Sequence, residues 1–162
     1  QSQPLDPDVV GRPPRSGGGH RRQGEEQTQL KHQYVVIVGC GRFGSYLANR
    51  YSRAGSSVVV VDPDPDSFTA LSADFSGFTI EGNAFEFAVL QQAKTGKADL
   101  LVAATQKDST NLFCAQVAKV HFQVPEVVAR VYDPSLAVIF QGSGITTISP
   151  VLIAAESFFP PA

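Results

Sequence analysis

The chain has 162 residues, 43% of them hydrophobic and 17% charged, with a formal net charge of −2. That is enough apolar material for one folded core, and the weak negative charge excludes a strongly basic nucleic-acid binder. No apolar run approaches the roughly 20 residues of a membrane span, and Cys40 and Cys114, the 2 cysteines, form neither a CxxC pair nor a disulfide framework.

Residues 1–33 differ from the rest. The stretch GRPPRSGGGHRRQGEEQTQ is rich in Pro, Gly, Gln and Arg and nearly free of large apolar side chains. Such a segment cannot offset the entropy of its own ordering, so it reads as a solvated tail or linker. It lacks the apolar stretch of a signal peptide. Arg12, Arg15, Arg21 and Arg22 offer an alternative contact to a membrane surface or nucleic acid. The chain holds no methionine, which leaves a processed chain and an excerpt of a longer one equally open. The folded part is expected over 34–159, with 160–162 as its end.

Strand and helix patterns alternate from there. YVVIV (34–38) is a continuous β-branched run, the pattern of a strand buried on both faces of a parallel sheet. A helix is expected over 42–54 with Gly55 closing it, then a second buried strand, SVVVV (57–61). Next come a helix over 66–75, a strand GFTIE (77–81), a helix over 85–93 and a strand DLLVAA (99–104). The segment 109–121 reads as a helix with Leu112, Phe113, Val117 and Val120 at helical spacing. EVVARV (126–131) is a fifth strand, followed by a short helix over 134–140 and a sixth strand at 144–148. Ser149 and Pro150 open a last, unusually apolar helix, VLIAAESFF. Six strands alternating with helices predict an α/β, Rossmann-like, doubly wound parallel sheet with helices on both faces. Ligands are then expected at the carboxyl ends of the strands.

The chemistry concentrates where the first strand meets the first helix. Gly39, Gly41 and Gly44 form G-x-G-x-x-G there. The first glycine suits a tight turn, the second close approach of backbone to a phosphate, the third close helix–sheet packing. The helix N-terminus adds unpaired N–H groups and partial positive charge. Asp62 ends the second strand about 20 residues on, as a ribose-binding acid should, although a helix cap is the other reading of an aspartate there. Asp64 follows in DPDPD with no arginine to receive a 2′-phosphate, which disfavours NADP.

Arg42 faces either a terminal phosphate or solvent. Cys40 reads as a small residue that fits the loop, Cys114 as core. Asn83, Asn111 and Arg130 lie near strand ends, where ligand contact and structural hydrogen bonding explain them equally well. There is no Tyr-x-x-x-Lys pair. His20 and His32 fall in the tail and His121 at a helix end. Binding without chemistry therefore fits better than catalysis, with an NAD-dependent oxidoreductase fragment lacking its substrate domain as the alternative.

The segments VVIVGCGRFGSYLA, VVVVDPDP, EGNAFE, ADLLVAATQKDSTNL, VVARVYDP and TTISPVLIAAESF, in this order and spacing, resemble the TrkA-N or KTN domain. That domain is the N-terminal half of RCK regulators of potassium channels and transporters. The resemblance covers 34–159 and implies an adenine nucleotide, NAD(H) or ATP/ADP. Its phosphates would lie on Gly39, Cys40, Gly41, Arg42, Phe43 and Gly44. Asp62, Pro63 and Asp64 would hold the ribose, Asn83 and Ala84 would lie by the adenosine, and Ala104 and Thr105 would border the opposite side. Asn83 stands where many members carry aspartate, and the family's second regulatory domain does not follow Ala162 in this sequence. The resemblance further implies a homodimer or ring packed through the last helix. A potassium-conducting membrane subunit would be the partner, at the cytoplasmic face of the membrane.

Overall fold

A computed structural model describes residues 32–159. Its six strands are β1 (Tyr34–Val38), β2 (Ser57–Asp62), β3 (Phe78–Glu81), β4 (Leu100–Ala103), β5 (Glu126–Arg130) and β6 (Ile145–Ile148). They form one parallel sheet in the order β3-β2-β1-β4-β5-β6. The chain order thus reverses between β1 and β4, the expected doubly wound plan with a crevice at that switch. Val36 pairs with Val59 on one side and Leu101 on the other.

Alternation along the strands builds two cores. Val35, Ile37, Val58 and Val60 face α1 (Arg42–Arg53), where Ala48 is buried and Phe43, Leu47 and Tyr51 pack against them. Val36, Val38, Val59 and Val61 face α2 (Phe87–Gln92) and α3 (Asp108–Gln116), which supply Leu90, Cys114 and Ala115. With both faces covered, the central strands have no polar side, hence their continuous apolar runs. Truncating fully buried Leu90 or Leu101 to alanine would cost about 2–5 kcal/mol.

Two elements depart from the sequence reading. The expected helix over 66–75 is only a 3-10 turn, Pro65–Ala70, followed by irregular chain. Its Asp, Ser and Thr side chains bond locally instead: the Asp64 carboxylate accepts from the Asp66 amide, and the Thr69 hydroxyl donates to the Asp66 carbonyl. Such bonds compete with helix propagation. The helix expected over 109–121 is α-helical only to Gln116 and closes in a π turn, Val117–His121. Its buried face is Asn111, Cys114, Ala115 and Ala118, whereas Phe113 and Val120 of the expected apolar stripe are exposed. Small residues let this helix lie close to the sheet.

Most of the predicted tail lies outside the described residues, but His32 and Gln33 already touch the fold. The His32 ring meets the Glu126 carboxylate at 2.5 Å, and the Asp99 carboxylate accepts the amides of Gln33 and Tyr34, each at 2.9 Å. At the other end, α4 (Ser135–Ile139) and β6 lead to α5 (Pro150–Phe158). The Ser149 hydroxyl caps α5 by accepting the Leu152 amide, with Pro150 in the first turn. Every residue from 151 to 159 is exposed, so the body of this chain leaves much of the helix's apolar surface uncovered.

Candidate nucleotide cleft

The glycine loop is built from backbone constraints. Gly39 has φ +100° and donates its amide to the Val61 carbonyl at 2.7 Å, which turns the chain sharply off β1. A Cβ on Gly44 would lie 1.8 Å from the Gly39 carbonyl oxygen, so α1 meets the strand end only because that residue is glycine. Gly41 differs: φ is −80°, and a Cβ there would meet no atom within 4 Å. Nothing in the chain itself demands glycine at 41. The space left over it is a cradle at the start of α1, as a bound phosphate group requires.

Asp62 locks this loop. One carboxylate oxygen accepts the Cys40 amide at 2.8 Å and the other accepts the Asp64 amide at 2.9 Å. Cys40 is buried, and burial together with the nearby Asp62 charge pushes its thiol up to about 11. It is a packing residue, as its size suggested. Cys114 is also core, its thiol pushed up to about 12 by burial.

A cleft of about 730 Å³ opens at the carboxyl ends of the strands. Of the thirteen candidate residues, Gly39, Gly41, Arg42, Asp62, Pro63, Asn83, Ala84, Ala104 and Thr105 line it. Cys40 and Gly44 are buried behind the loop, Phe43 packs on the α1 core, and the Asp64 side chain caps the following turn. Arg42 is exposed at the rim. Asn83 accepts the Phe85 amide through its side-chain oxygen, a local turn that presents the residue to the cleft.

Asn111 resolves toward structure. Fully buried, its Oδ1 accepts from the Thr105 amide and hydroxyl, and its Nδ2 donates to the carbonyls of Thr105 and Arg130. It stitches the ends of β4 and β5 together. Arg130 and Tyr132 reach the cleft from the end of β5, Lys107 from the connection after β4 and Thr110 from the first turn of α3. Sequence reasoning passed over Lys107, Thr110 and Tyr132; the available signal was their place just beyond strands that end at the switch point. A second cavity, about 600 Å³ and lined by Tyr34, Ser56, Phe78 and Lys94 among others, lies at the opposite end of the sheet.

The TrkA-N domain model matches residues 35–150. The chain belongs to the TrkA-N family. A curated relative, the Trk system potassium uptake protein TrkA of Streptomyces coelicolor, is 38% identical over 123 residues, covering 76% of this chain and 55% of that protein. This TrkA-N chain spans about half the length of the curated relatives it matches first. The TrkA-N domain of the inner membrane protein ybaL from Escherichia coli superposes with a TM-score of 0.69 at 18% identity, covering 78% of this chain and 94% of that one. The Kef CTD of Shewanella denitrificans in AMP-bound form gives 0.66 at 25% identity, covering 77% and 76%. Among the described residues of this TrkA-N domain, no helix is long and apolar enough to cross a membrane. No group of three or more His, Cys, Asp or Glu side chains among them could hold a metal ion.

Proposed function

We propose that the chain is a nucleotide-binding regulatory domain of a potassium channel or transporter, sensing NAD(H) or ATP/ADP and passing a conformational change to a membrane subunit. The observation that carries this is the glycine loop: Gly41 leaves open space that the chain does not need, beside Asp62 and at the start of α1. Family membership, the potassium-uptake relative and the AMP-bound Kef structure support the same reading.

In it, the amides of the loop and the first turn of α1 hold phosphate, and Asp62 accepts ribose hydroxyls while bracing Cys40. Asn83 and Ala84 border the adenosine; Ala104 and Thr105 form the facing wall. The Asp62 and Asp64 carboxylates repel a 2′-phosphate, which disfavours NADP. The role is binding rather than catalysis. A ligand shifts the domain only by its difference in affinity between two states, so nucleotides with unequal phosphate chains are the natural signals. The exposed apolar face of α5 is the surface on which a second copy packs, and the assembly sits at the cytoplasmic face of the membrane beneath its partner.

Calorimetric titration with AMP, ADP, ATP, NAD and NADH tests this, with Asp62→Ala as control. Unequal affinities, abolished in the control, are expected. Steady-state turnover of NADH with a carbonyl substrate would instead favour an oxidoreductase fragment.

A further inference from the structure

Arg130 ends β5 and turns its guanidinium back across the sheet into the cleft. Nη2 donates to the Thr105 carbonyl at 3.0 Å and to the Tyr132 hydroxyl at 2.6 Å. The group lies 4.8 Å from the Tyr132 ring centroid and 5.7 Å from that of Phe43. Its Nε is buried and makes no hydrogen bond, and neither of the ion pairs found among the described residues, His32–Glu126 and Arg53–Asp74, involves it. A buried N–H of a cation without an acceptor is costly, and the two rings beside the guanidinium displace part of its water, which strengthens its attraction to an anion. The guanidinium thus lines the cleft with no carboxylate of the described residues paired to it.

Its position selects the anion. Asp62 ends β2, the glycine loop follows β1, and Thr105 follows β4, with β1 between β2 and β4. Neighbouring strands lie about 4.8 Å apart, so the guanidinium at Thr105 stands about 10 Å across the sheet from Asp62, with the glycine loop midway. A ribose on Asp62 and a first phosphate at the loop bring a second or third phosphate toward Arg130. Arg42 and Lys107 also border the cleft, but both are exposed and solvent screens them.

We propose that Arg130 recognises the phosphate beyond the first, and so sets the preference of the cleft for a pyrophosphate-containing adenine nucleotide over a monophosphate. The inference rests on the nucleotide reading above and adds the residue that discriminates among nucleotides.

The test is titration of the full chain with AMP and with ADP, in unaltered form and as Arg130→Gln, Arg130→Lys and Asp62→Ala. Arg130→Gln is expected to weaken ADP about 10- to 100-fold and AMP less than about 2-fold, since only ADP loses charge-assisted hydrogen bonds. Arg130→Lys, which keeps the charge but not the planar fork, should recover part of the loss. A merely structural role would lower both affinities by the same factor. That result, or an unchanged ADP affinity, overturns the inference. Should Arg130→Gln fail to fold, Tyr132→Phe removes an acceptor from Nη2 and is expected to shift the ADP-to-AMP affinity ratio at least about 3-fold; an unshifted ratio then overturns it. If Asp62→Ala leaves both affinities intact, or if neither nucleotide binds the unaltered chain, the nucleotide reading itself has failed and this inference with it.

Discussion

The carboxylate of Asp62 accepts the main-chain amide of Cys40 at 2.8 Å, across 22 residues of sequence. The acid at the end of β2 therefore shapes the loop at the end of β1. Asp62→Ala removes two backbone acceptor contacts and is expected to cost about 1–2 kcal/mol in chemical denaturation. Nucleotide affinity should fall at least about 10-fold by calorimetry, because the ribose contact and the loop brace go together. Wild-type stability with lost affinity would show that the carboxylate serves the ligand alone.

Gly41 and Gly44 separate binding from folding. Gly44→Ala forces a Cβ against the Gly39 carbonyl, and a loss above about 3 kcal/mol is expected. Gly41→Ala meets no atom, so its stability should stay within about 1 kcal/mol of the parent while nucleotide affinity drops at least about 10-fold. Thermal melts and titrations on the same two variants check the split. Retained affinity in Gly41→Ala would remove the cradle argument.

Asn111→Ala should be among the more damaging polar substitutions, at about 2–4 kcal/mol. It removes the shared donor of the half-buried Thr105 and Arg130 carbonyls, of which only the Thr105 oxygen keeps a side-chain donor, Arg130 Nη2. Asn111→Asp is expected to be at least as harmful, since a carboxylate oxygen would face those carbonyls. Urea unfolding of both variants is the measurement.

Asp99 ties the chain before β1 to the start of β4. The amides of Tyr34 and then Gln33 lower its pKa from the ordinary 3.8. A depressed folded-state pKa contributes stability that is present above 3.8 and is lost as pH falls through the lower folded value. Asp99→Asn should therefore be less stable than the parent near pH 7. The gap should narrow as pH is lowered below 3.8, measured by denaturation at stepped pH. A constant gap would show that the carboxylate's charge plays no part.

On α5, Ile153 is 59% exposed and Leu152 is 41% exposed. Ile153→Glu is expected to leave the melting temperature of the body nearly unchanged, because the body does not bury this side chain. It should lower the sedimenting mass from an assembly of at least two chains to one. An identical mass for both proteins would exclude this face as the contact between copies.

Local patterns in the sequence were enough for much of this. The β-branched runs of β1 and β2 announce buried parallel strands because such strands have no polar face. The spacing of Gly39, Gly41 and Gly44 announces the turn because each position has its own steric demand. Ser149 and Pro150 mark the start of α5 by chemistry confined to one helical turn. The failures were also local in origin: over 66–75, Ser, Thr and Asp side chains compete for the backbone at every step, and apolar content alone could not weigh that competition.

The sequence by itself determined the kind of sheet, the glycine turn and the acid that ends β2, since contacts within a few residues dictate each of them. Only the tertiary structure decided where the side chains of Asn111 and Arg130 make their hydrogen bonds. Asn111 spends its side-chain hydrogen bonds stitching Thr105 to Arg130. Arg130 reaches the Thr105 carbonyl 25 residues away and keeps one buried N–H unpaired. Those outcomes follow from the order β2-β1-β4-β5, in which strands distant in sequence end side by side.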